Sequence, residues 1–117
     1  MTLNLALSYG SRSEIIAAIK ELAGRCMAQE IMQADIDEEM VSGSLYTAGQ
    51  PDPDLFIRTG GENRLSNFLL WQASYAELYF TEKKWPDFGR EELLEAIGDF
   101  GARQRRFGKT GSQLRQE

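Results

Sequence analysis

The sequence predicts an α/β fold in which a partial parallel sheet is flanked by helices. Three short apolar runs have the composition of strands: Leu3–Ser8, Leu55–Ile57 and Tyr75–Phe80. The segments between and after these runs carry apolar residues at helical spacing. Glycines and arginines follow the second run, at the position where open α/β sheets bind ligands beyond the carboxyl ends of their strands. These observations predict a ligand-binding chain of the α/β class.

Length and composition exclude several classes of function. The 117 residues form one domain at most and are 42% hydrophobic, as in ordinary globular chains. The net charge of −5 argues against a general nucleic-acid binder. Histidine is absent and Cys26 is the single cysteine, which excludes a His-based triad, a His-rich zinc site and an internal disulfide. No apolar run approaches the roughly 20 residues of a membrane span. We therefore expect a soluble, cytoplasmic chain.

The first strand is expected at Leu3–Ser8 and the first helix directly after Tyr9-Gly10. Ser11 and Glu14 have the spacing of a capping box, with Ser11 as the N-cap. The predicted buried stripe of this helix follows helical spacing and consists of Ile15, Ile19, Leu22 and Cys26. Arg12 lies at the corner between strand and helix, where it either faces a ligand or is solvated.

A second, weaker helix is expected from Ile36 to Leu45, because Asp35 and Glu38 repeat the capping-box spacing. Four acidic residues cluster at its start: Asp35, Asp37, Glu38 and Glu39. Acidic side chains at a helix N-terminus are favoured by the macrodipole, so a solvated helix start is the preferred interpretation over a metal site. Residues 50–53 then form an extended connector, since each proline holds the residue before it extended.

The central strand, Leu55–Ile57, has the composition of a strand buried on both faces. Arg58 ends it, and a loop follows with Gly60, Gly61, Arg64 and Ser66. Glycines let backbone N–H groups approach a ligand, arginine forks onto phosphate oxygens, and a serine hydroxyl donates one more bond. The alternative is a simple turn with two solvated arginines.

Two further elements complete the predicted fold. Residues 67–72 are either a short buried helix or a turn, and Tyr75–Phe80 is the third strand. Glu77 is the one charge within that strand and needs a partner: a cation, tyrosine hydroxyls, or one of the arginines at positions 58 and 64. The last helix is expected to begin near Gly89 or Arg90.

The buried stripe of this last helix is predicted to be Leu93, Ile97 and Phe100. A basic end follows from about residue 103, where a frayed, solvated tail is the simple interpretation. Its cations are Arg103, Arg105, Arg106, Lys109 and Arg115.

Four stretches together resemble the cis-prenyltransferases of the undecaprenyl diphosphate synthase type. They are IRTGGENRLSNFLLWQASYAELYF at residues 57–80, WPDF at 85–88, LNLALSYGSRSEI at 3–15 and RQRRFG at 103–108. The resemblance therefore covers nearly the whole chain. It implies the C-terminal portion of that family's fold over residues 1–117.

The resemblance also implies an activity. Enzymes of this family lengthen an allylic diphosphate, of farnesyl type, with successive isopentenyl diphosphate units, and each addition forms a Z double bond. Mg²⁺ assists departure of the allylic diphosphate. The expected product is a long-chain, undecaprenyl-type polyprenyl diphosphate, and the enzyme is expected to be a homodimer that touches membranes only through its lipid product.

The family's functional residues fall on named positions of this chain. The resemblance places the isopentenyl diphosphate site at Arg58, Gly60, Gly61, Arg64 and Ser66 and the Mg²⁺ ligand at Glu77. The family's Arg-x-Gly end, which reaches the diphosphate site of a dimer partner, falls on Arg106 and Gly108. Asn63 departs from the pattern, because relatives often carry histidine there.

Two motifs of the family are absent from this sequence. Neither its Asp-Gly-Asn-x-Arg motif, with the catalytic aspartate, nor its later Phe-Ser-x-Glu-Asn stretch occurs. No catalytic residue is therefore assigned, and the chain alone is expected to be inactive. The expected partner is a second copy of the chain, in a homodimer, or a chain that supplies the N-terminal half. The alternatives are a non-catalytic partner subunit and an inactive truncated remnant.

Overall fold

The structure, a computed structural model, describes residues 1–103 as two units. The first unit consists of Met1–Pro51 and Leu65–Gln72. The second consists of residues 52–64 and 73–103. The chain passes from one unit to the other three times, because residues 65–72 belong to the first unit although both flanking segments belong to the second.

Helices form the first unit. Helix α1 spans Ser11–Met27, a 3₁₀ turn spans Gln33–Asp35, and helix α2 spans Glu38–Gly43. The residues of α1 that are buried are Ser11, Glu14, Ala18 and Leu22. The predicted stripe is wrong for Ile19, whose exposed fraction is 59%. The buried face is shifted by about one residue because Ser11 and Glu14, both polar, are buried and find hydrogen-bond partners in the same unit.

The predicted capping box at the start of α1 is also wrong. The N-cap residue is Gly10, and Ser11 is already the first helical residue. Glu14 does not reach back to the N-cap, because its carboxylate accepts hydrogen bonds from other parts of the unit. The first N–H groups of α1 are instead bound by Asn67, which is distant in sequence.

Helix α2 is shorter than the expected range of residues 36–45, and Asp37 is its cap. The Asp37 carboxylate accepts from the N–H of Met40 at 2.8 Å. Asp35 closes the preceding turn instead, since its carboxylate accepts from the N–H of Met32 at 2.8 Å. Glu38 and Glu39 lie exposed in the first turn of α2, as the helix-start interpretation predicted.

The prediction of a strand at residues 3–8 is wrong. No strand forms there, and the leucine side chains are largely exposed, with fractions of 79% for Leu3, 76% for Leu5 and 84% for Leu7. A strand needs a hydrogen-bonded neighbour, and the ladder that the described residues contain joins two other segments. Apolar composition alone therefore did not decide this element.

The second unit contains the sheet. Strand β1 spans Leu55–Arg58 and strand β2 spans Glu77–Phe80, and they pair in parallel with Leu55 opposite Glu77 and Arg58 opposite Phe80. The partial parallel sheet is thus confirmed. Burial of β1 on both faces is wrong: Phe56 is buried and the other three residues are half-buried. The reason is that the face carrying Leu55 and Ile57 is only partly covered by the rest of the unit.

β2 begins two residues later than predicted, after a turn in which the N–H of Ala76 donates to the carbonyl of Ala73. Residues 66–75 are turns and bends rather than a helix, which was one of the two expectations for residues 67–72.

A 3₁₀ turn spans Trp85–Asp87, and helix α3 spans Arg90–Ala102 with Gly89 as the N-cap, so its predicted start is confirmed. Ala96 is the one residue of α3 that is buried, while Leu93 and Ile97 are 42% and 48% exposed. The predicted stripe is therefore wrong for these two residues, because the small side chain of Ala96 provides the close contact.

Arg103 follows α3 directly and is bound to the same unit by hydrogen bonds and ion pairs, so fraying from residue 103 is wrong for this residue. Arg106 and Gly108 lie outside the described residues. None of the described helices is long and apolar enough to cross a membrane.

Candidate functional site

Arg58 closes the loop that follows β1. Its side-chain Nη1 donates to the backbone carbonyl of Arg64 at 2.7 Å, so the two predicted arginines are brought into one short loop. The loop lies beyond the carboxyl end of β1, as the sequence predicted for a ligand site in an α/β sheet.

The same loop is hydrogen-bonded to the segment that follows β2. The N–H of Thr81 donates to the carbonyl of Arg58 at 3.0 Å, and the N–H groups of Gly61 and Gly60 donate to the carbonyls of Thr81 at 2.9 Å and Lys83 at 2.8 Å. Both glycine N–H groups are thus used inside the unit, whereas the sequence interpretation aimed them at a ligand. These three hydrogen bonds attach the loop to the end of the sheet.

Glycine is required at both positions for steric reasons. The backbone φ angles are +87° at Gly60 and +77° at Gly61, a left-handed region that L side chains rarely adopt. At Gly61 a Cβ atom would lie 2.5 Å from a carboxylate oxygen of Glu82. Gly60 is therefore favoured by its backbone conformation alone, whereas Gly61 also leaves room for the carboxylate of Glu82.

Arg64 forms an ion pair with Glu62 in the same loop, at 2.5 Å, and its side chain is 67% exposed. An exposed pair of this kind contributes at most about 1 kcal/mol, because both charges remain hydrated. The guanidinium is therefore held in place at low energetic cost and is accessible to a competing anion.

Glu77 has a cation as its partner, and that cation is Arg103. The guanidinium of Arg103 lies 3.3 Å from the Glu77 carboxylate, donates to the carbonyl of Leu78 at 2.7 Å, and pairs with Asp99. The hydrogen bond with Glu77 is the main cause that raises the pKa of Arg103 above its usual value. The sequence had left three kinds of partner open: a cation, tyrosine hydroxyls, or one of the arginines at positions 58 and 64. In the described residues the partner is a cationic side chain, but it is neither of those two arginines.

A magnesium ion does not fit the described residues as they stand. Mg²⁺ is bound by one or two carboxylates together with waters and substrate phosphates in octahedral geometry. Residues 1–103 hold no group of three or more His, Cys, Asp or Glu side chains suited to a metal, and the Glu77 carboxylate is already paired.

Ser66 belongs to the first unit, whereas Arg58 and Arg64 belong to the second. Its side chain is exposed, and the backbone there is left-handed, with φ of +51° at Ser66, +61° at Asn67 and +49° at Leu69. Left-handed conformations are disfavoured for residues with a Cβ, asparagine less than the others. The local sequence therefore does not account for the shape of this segment.

Asn67 caps helix α1 from a distance of 55 residues in the sequence. Its backbone carbonyl accepts from the N–H of Ser11 at 2.8 Å, and its side-chain carbonyl accepts from the N–H of Arg12 at 2.8 Å. In return, the N–H of Leu70 donates to the hydroxyl of Ser11 at 2.9 Å. The start of α1 and residues 67–70 thus satisfy each other's backbone groups.

A buried carboxylate anchors the other end of this segment. Glu14 is fully buried and accepts from the N–H of Tyr46 at 2.7 Å and from Nε2 of Gln72 at 3.2 Å. The hydroxyl of Tyr9 donates a short hydrogen bond to the same carboxylate. Burial, and then the bond to Glu14, raise the pKa of Tyr9. Nε2 of Gln72 also donates to the hydroxyl of Thr47 at 3.1 Å.

Sequence reasoning missed the roles of Asn67 and Glu14. A signal existed for Glu14, because Ala18 and Leu22 follow it at intervals of four residues and place it on an apolar face. For Asn67 the sequence held no comparable signal, since its partners at positions 11 and 12 are far away along the chain. Arg12, the other candidate at this corner, is exposed.

The chemistry available in the arginine loop is anion binding. Two guanidinium groups lie on adjoining parts of one loop, and a guanidinium offers parallel donors that match the oxygens of a phosphate. Glu62 pairs with Arg64 and the carboxylate of Glu82 lies beside Gly61, so an incoming anion meets negative charge in the same loop.

A family model described as "Putative undecaprenyl diphosphate synthase" matches residues 1–108 of this chain. An isoprenyl transferase of Porphyromonas gingivalis is 53% identical over 114 residues, which is 97% of this chain and 45% of that protein. A (2Z,6E)-farnesyl diphosphate synthase of Mycolicibacterium smegmatis is 51% identical over 111 residues, or 91% of this chain and 42% of that protein. The chain thus spans less than half the length of these relatives.

Solved structures are similar as well. Lavandulyl diphosphate synthase from Lavandula x intermedia, in complex with dimethylallyl diphosphate, matches with a TM-score of 0.86 at 43% identity, over 90% of this chain and 45% of that one. A "probable undecaprenyl diphosphate synthase" from Campylobacter jejuni matches with a TM-score of 0.72 at 43% identity, over 91% of this chain and 47% of that one. The fold of the described residues is therefore that of these synthases.

Proposed function

Since this chain belongs to the cis-prenyltransferase family, we propose that it carries the isopentenyl diphosphate site of an enzyme that condenses this substrate with an allylic diphosphate. One structural observation supports the assignment above the others: Arg58 and Arg64 share a loop beyond the carboxyl end of β1. Isoprenoid diphosphates are anions, and the loop offers the donors that bind them.

The proposed roles divide between the residues of the loop and its continuation. Arg58 and Arg64 bind the diphosphate oxygens, and the hydroxyl of Ser66 donates a further hydrogen bond to them. Gly60 and Gly61 supply the left-handed backbone that shapes the loop carrying the two arginines. Binding of this kind holds and orients the substrate whose double bond attacks the allylic partner, so it lowers the entropic part of the barrier.

Magnesium enters the proposal only in a larger assembly. Glu77 is proposed as one carboxylate ligand of Mg²⁺ once substrate oxygens and a further protein carboxylate are present. Glu77 can bind a metal only after its ion pair with Arg103 has been broken.

Arg106 and Gly108 are proposed to act on the diphosphate site of a second chain, which is either another copy or a chain that supplies the rest of the enzyme. Allylic diphosphates of the farnesyl type are the proposed second substrate. A long-chain, undecaprenyl-type product remains a prediction, because relatives of similar identity bear names with different products, among them isoprenyl transferase and (2Z,6E)-farnesyl diphosphate synthase.

The test of this function is direct binding. We expect isopentenyl diphosphate to bind the 117-residue chain without added metal, as measured by titration calorimetry. Arg58→Ala should weaken binding by roughly tenfold or more, because a charge-assisted hydrogen bond is worth about 1.5–3 kcal/mol and the loop also loses its closure onto residue 64.

The matched control is Arg90→Ala. Arg90 is exposed at the start of α3, and its substitution changes the net charge equally without touching the loop. Unchanged affinity in Arg90→Ala together with weakened affinity in Arg58→Ala supports the site. The proposed site would be refuted if the two variants bound isopentenyl diphosphate with the same affinity. It would also be refuted if the wild-type chain bound isopentenol, which lacks the diphosphate, as tightly as isopentenyl diphosphate.

A further inference from the structure

The segment that carries Ser66 adopts a conformation that its own residues disfavour. Ser66, Asn67 and Leu69 are left-handed, with φ of +51°, +61° and +49°. Crowding between Cβ and the carbonyl oxygens opposes this region for L residues, so it persists only where surrounding contacts impose it. The position of the Ser66 hydroxyl is therefore set by whatever holds residues 66–70.

The first turn of helix α1 holds them. Asn67 accepts two hydrogen bonds there, from the N–H groups of Ser11 and Arg12, both at 2.8 Å. Leu70 donates from its N–H to the Ser11 hydroxyl at 2.9 Å. Because the contacts fall on both sides of Leu69, they constrain the backbone throughout the left-handed stretch.

The fit between helix and segment is close. A Cβ atom on Gly10 would lie 2.9 Å from the side-chain nitrogen of Asn67, and Ser11 is fully buried. Further along the segment, Gln72 is buried and donates to the carboxylate of Glu14 on the same helix at 3.2 Å. Helix α1 thus anchors the segment at two points, one turn apart on its buried face.

From this geometry we propose that Asn67 and Ser11 are positioning residues for substrate binding. They hold residues 66–70 in the left-handed conformation in which the Ser66 side chain is exposed. The hydroxyl is then preorganised for a diphosphate oxygen, and neither positioning residue touches the ligand itself. This inference rests on the proposed function, in which Ser66 binds the diphosphate of isopentenyl diphosphate.

The test is a set of double-mutant cycles on the 117-residue chain, with isopentenyl diphosphate as the probe and titration calorimetry as the readout. Ser66→Ala, Asn67→Ala and Ser11→Ala should each raise Kd by about tenfold, the value of one lost charge-assisted hydrogen bond. On the Ser66→Ala background, Asn67→Ala or Ser11→Ala should raise Kd by less than about twofold further, because the positioned group is gone.

Asp37→Ala is the matched control for stability. It removes the cap of helix α2, a single side-chain bond of 2.8 Å to a first-turn N–H in the same unit. Its Kd should stay within about twofold of the wild-type value, since α2 carries no proposed ligand. A general loss of stability would instead raise Kd equally with or without the Ser66 hydroxyl, and that result would overturn the positioning role.

Two failures are distinguishable. If the wild-type chain does not bind isopentenyl diphosphate, or Ser66→Ala binds it as tightly, the proposed role of Ser66 fails and the positioning role with it. If Ser66→Ala weakens binding but Asn67→Ala and Ser11→Ala do not, the positioning role alone is wrong. Amide hydrogen exchange at Arg12 should accelerate in Asn67→Ala, and unchanged exchange would contradict the hydrogen bond on which the inference depends.

Discussion

The guanidinium of Arg103 lies 3.3 Å from the carboxylate of Glu77, so the end of helix α3 and the start of strand β2 are joined by an ion pair. Asp99, one helical turn before Arg103, pairs with the same guanidinium. The charge of Glu77 is thus compensated inside the unit. This relationship decides how the chain should respond to magnesium.

We predict that the 117-residue chain alone shows no micromolar binding of Mg²⁺ in titration calorimetry. One carboxylate that is already paired supplies too few oxygen ligands for an ion that gives up its waters reluctantly. Micromolar binding that Glu77→Gln abolishes would contradict this prediction and would show that the chain holds a complete metal site.

Glu62→Gln should tighten the binding of isopentenyl diphosphate by about two- to fivefold. The exposed ion pair between Glu62 and Arg64 competes with the substrate, and such pairs are worth up to about 1 kcal/mol. Glu39→Gln, which removes an equal charge at an exposed position of α2, serves as the control for net charge. Equal tightening by both variants would mean that Glu62 does not compete locally.

Arg64→Lys should weaken isopentenyl diphosphate binding by roughly tenfold although the charge is kept. Lysine presents a point charge and cannot form the two parallel hydrogen bonds of a guanidinium. In a complete enzyme the same change should mainly raise KM for isopentenyl diphosphate. An unchanged dissociation constant in calorimetry would indicate that Arg64 makes no direct contact with the diphosphate.

Glu14→Ala should lower the free energy of unfolding by about 3 kcal/mol, measured by urea denaturation. The substitution leaves the donors of Tyr46, Gln72 and Tyr9 without their acceptor, and the donor of Gln72 is buried. Glu21→Ala, on the exposed side of the same helix, should stay within about 0.5 kcal/mol of the wild type. Similar losses in both variants would show that the buried network contributes nothing beyond helix formation.

The cap of helix α3 should make stability depend on pH. The pKa of Glu92 is lowered from 4.5, first by its own backbone N–H, then by the N–H of Gly89, with Lys83 contributing further. A lowered pKa in the folded state means that the stabilisation is present above about pH 4.5 and is lost as the pH falls through the folded-state pKa. The wild type should therefore exceed Glu92→Gln in thermal stability at neutral pH.

That difference should shrink in acid. Thermal unfolding of the wild type and Glu92→Gln, followed by circular dichroism from neutral pH downward, measures it. A difference that stays constant below about pH 4.5 would show that the Glu92 carboxylate makes no charge-dependent contribution to the cap.

Local patterns predicted the elements whose partners are close in the sequence. The start of α3 at Gly89 was predicted from the residues just before the helix, which interrupt regular structure. The parallel pairing of β1 with β2 was predicted from two apolar runs. The arginine loop beyond β1 was found in the same way, because Arg58 and Arg64 are only six residues apart. These features depend on the strand and helix propensities of neighbouring residues, on the backbone conformations that glycine allows and on the direction of parallel strands. All three can be predicted from short stretches of sequence.

Contacts between distant residues decided the rest. The leucines at positions 3, 5 and 7 have strand composition but find no strand partner in the described residues, so composition predicted the wrong element. The burial of Glu14 depends on hydrogen-bond donors from residues 46 and 72. Because Glu14 is buried, the buried face of α1 differs from the most apolar stripe of the helix. The cap of α1 comes from Asn67.

The sequence by itself determined the family, the arginine loop and the two paired strands, because each of them is recognisable from a motif or an apolar run of adjacent residues. Tertiary structure alone decided that Arg103 neutralises Glu77 and that Asn67 holds the start of α1. The physical reason is that hydrogen bonds and ion pairs are short-ranged. Their partners are chosen by the folded backbone, which brings together residues 26 and 55 positions apart.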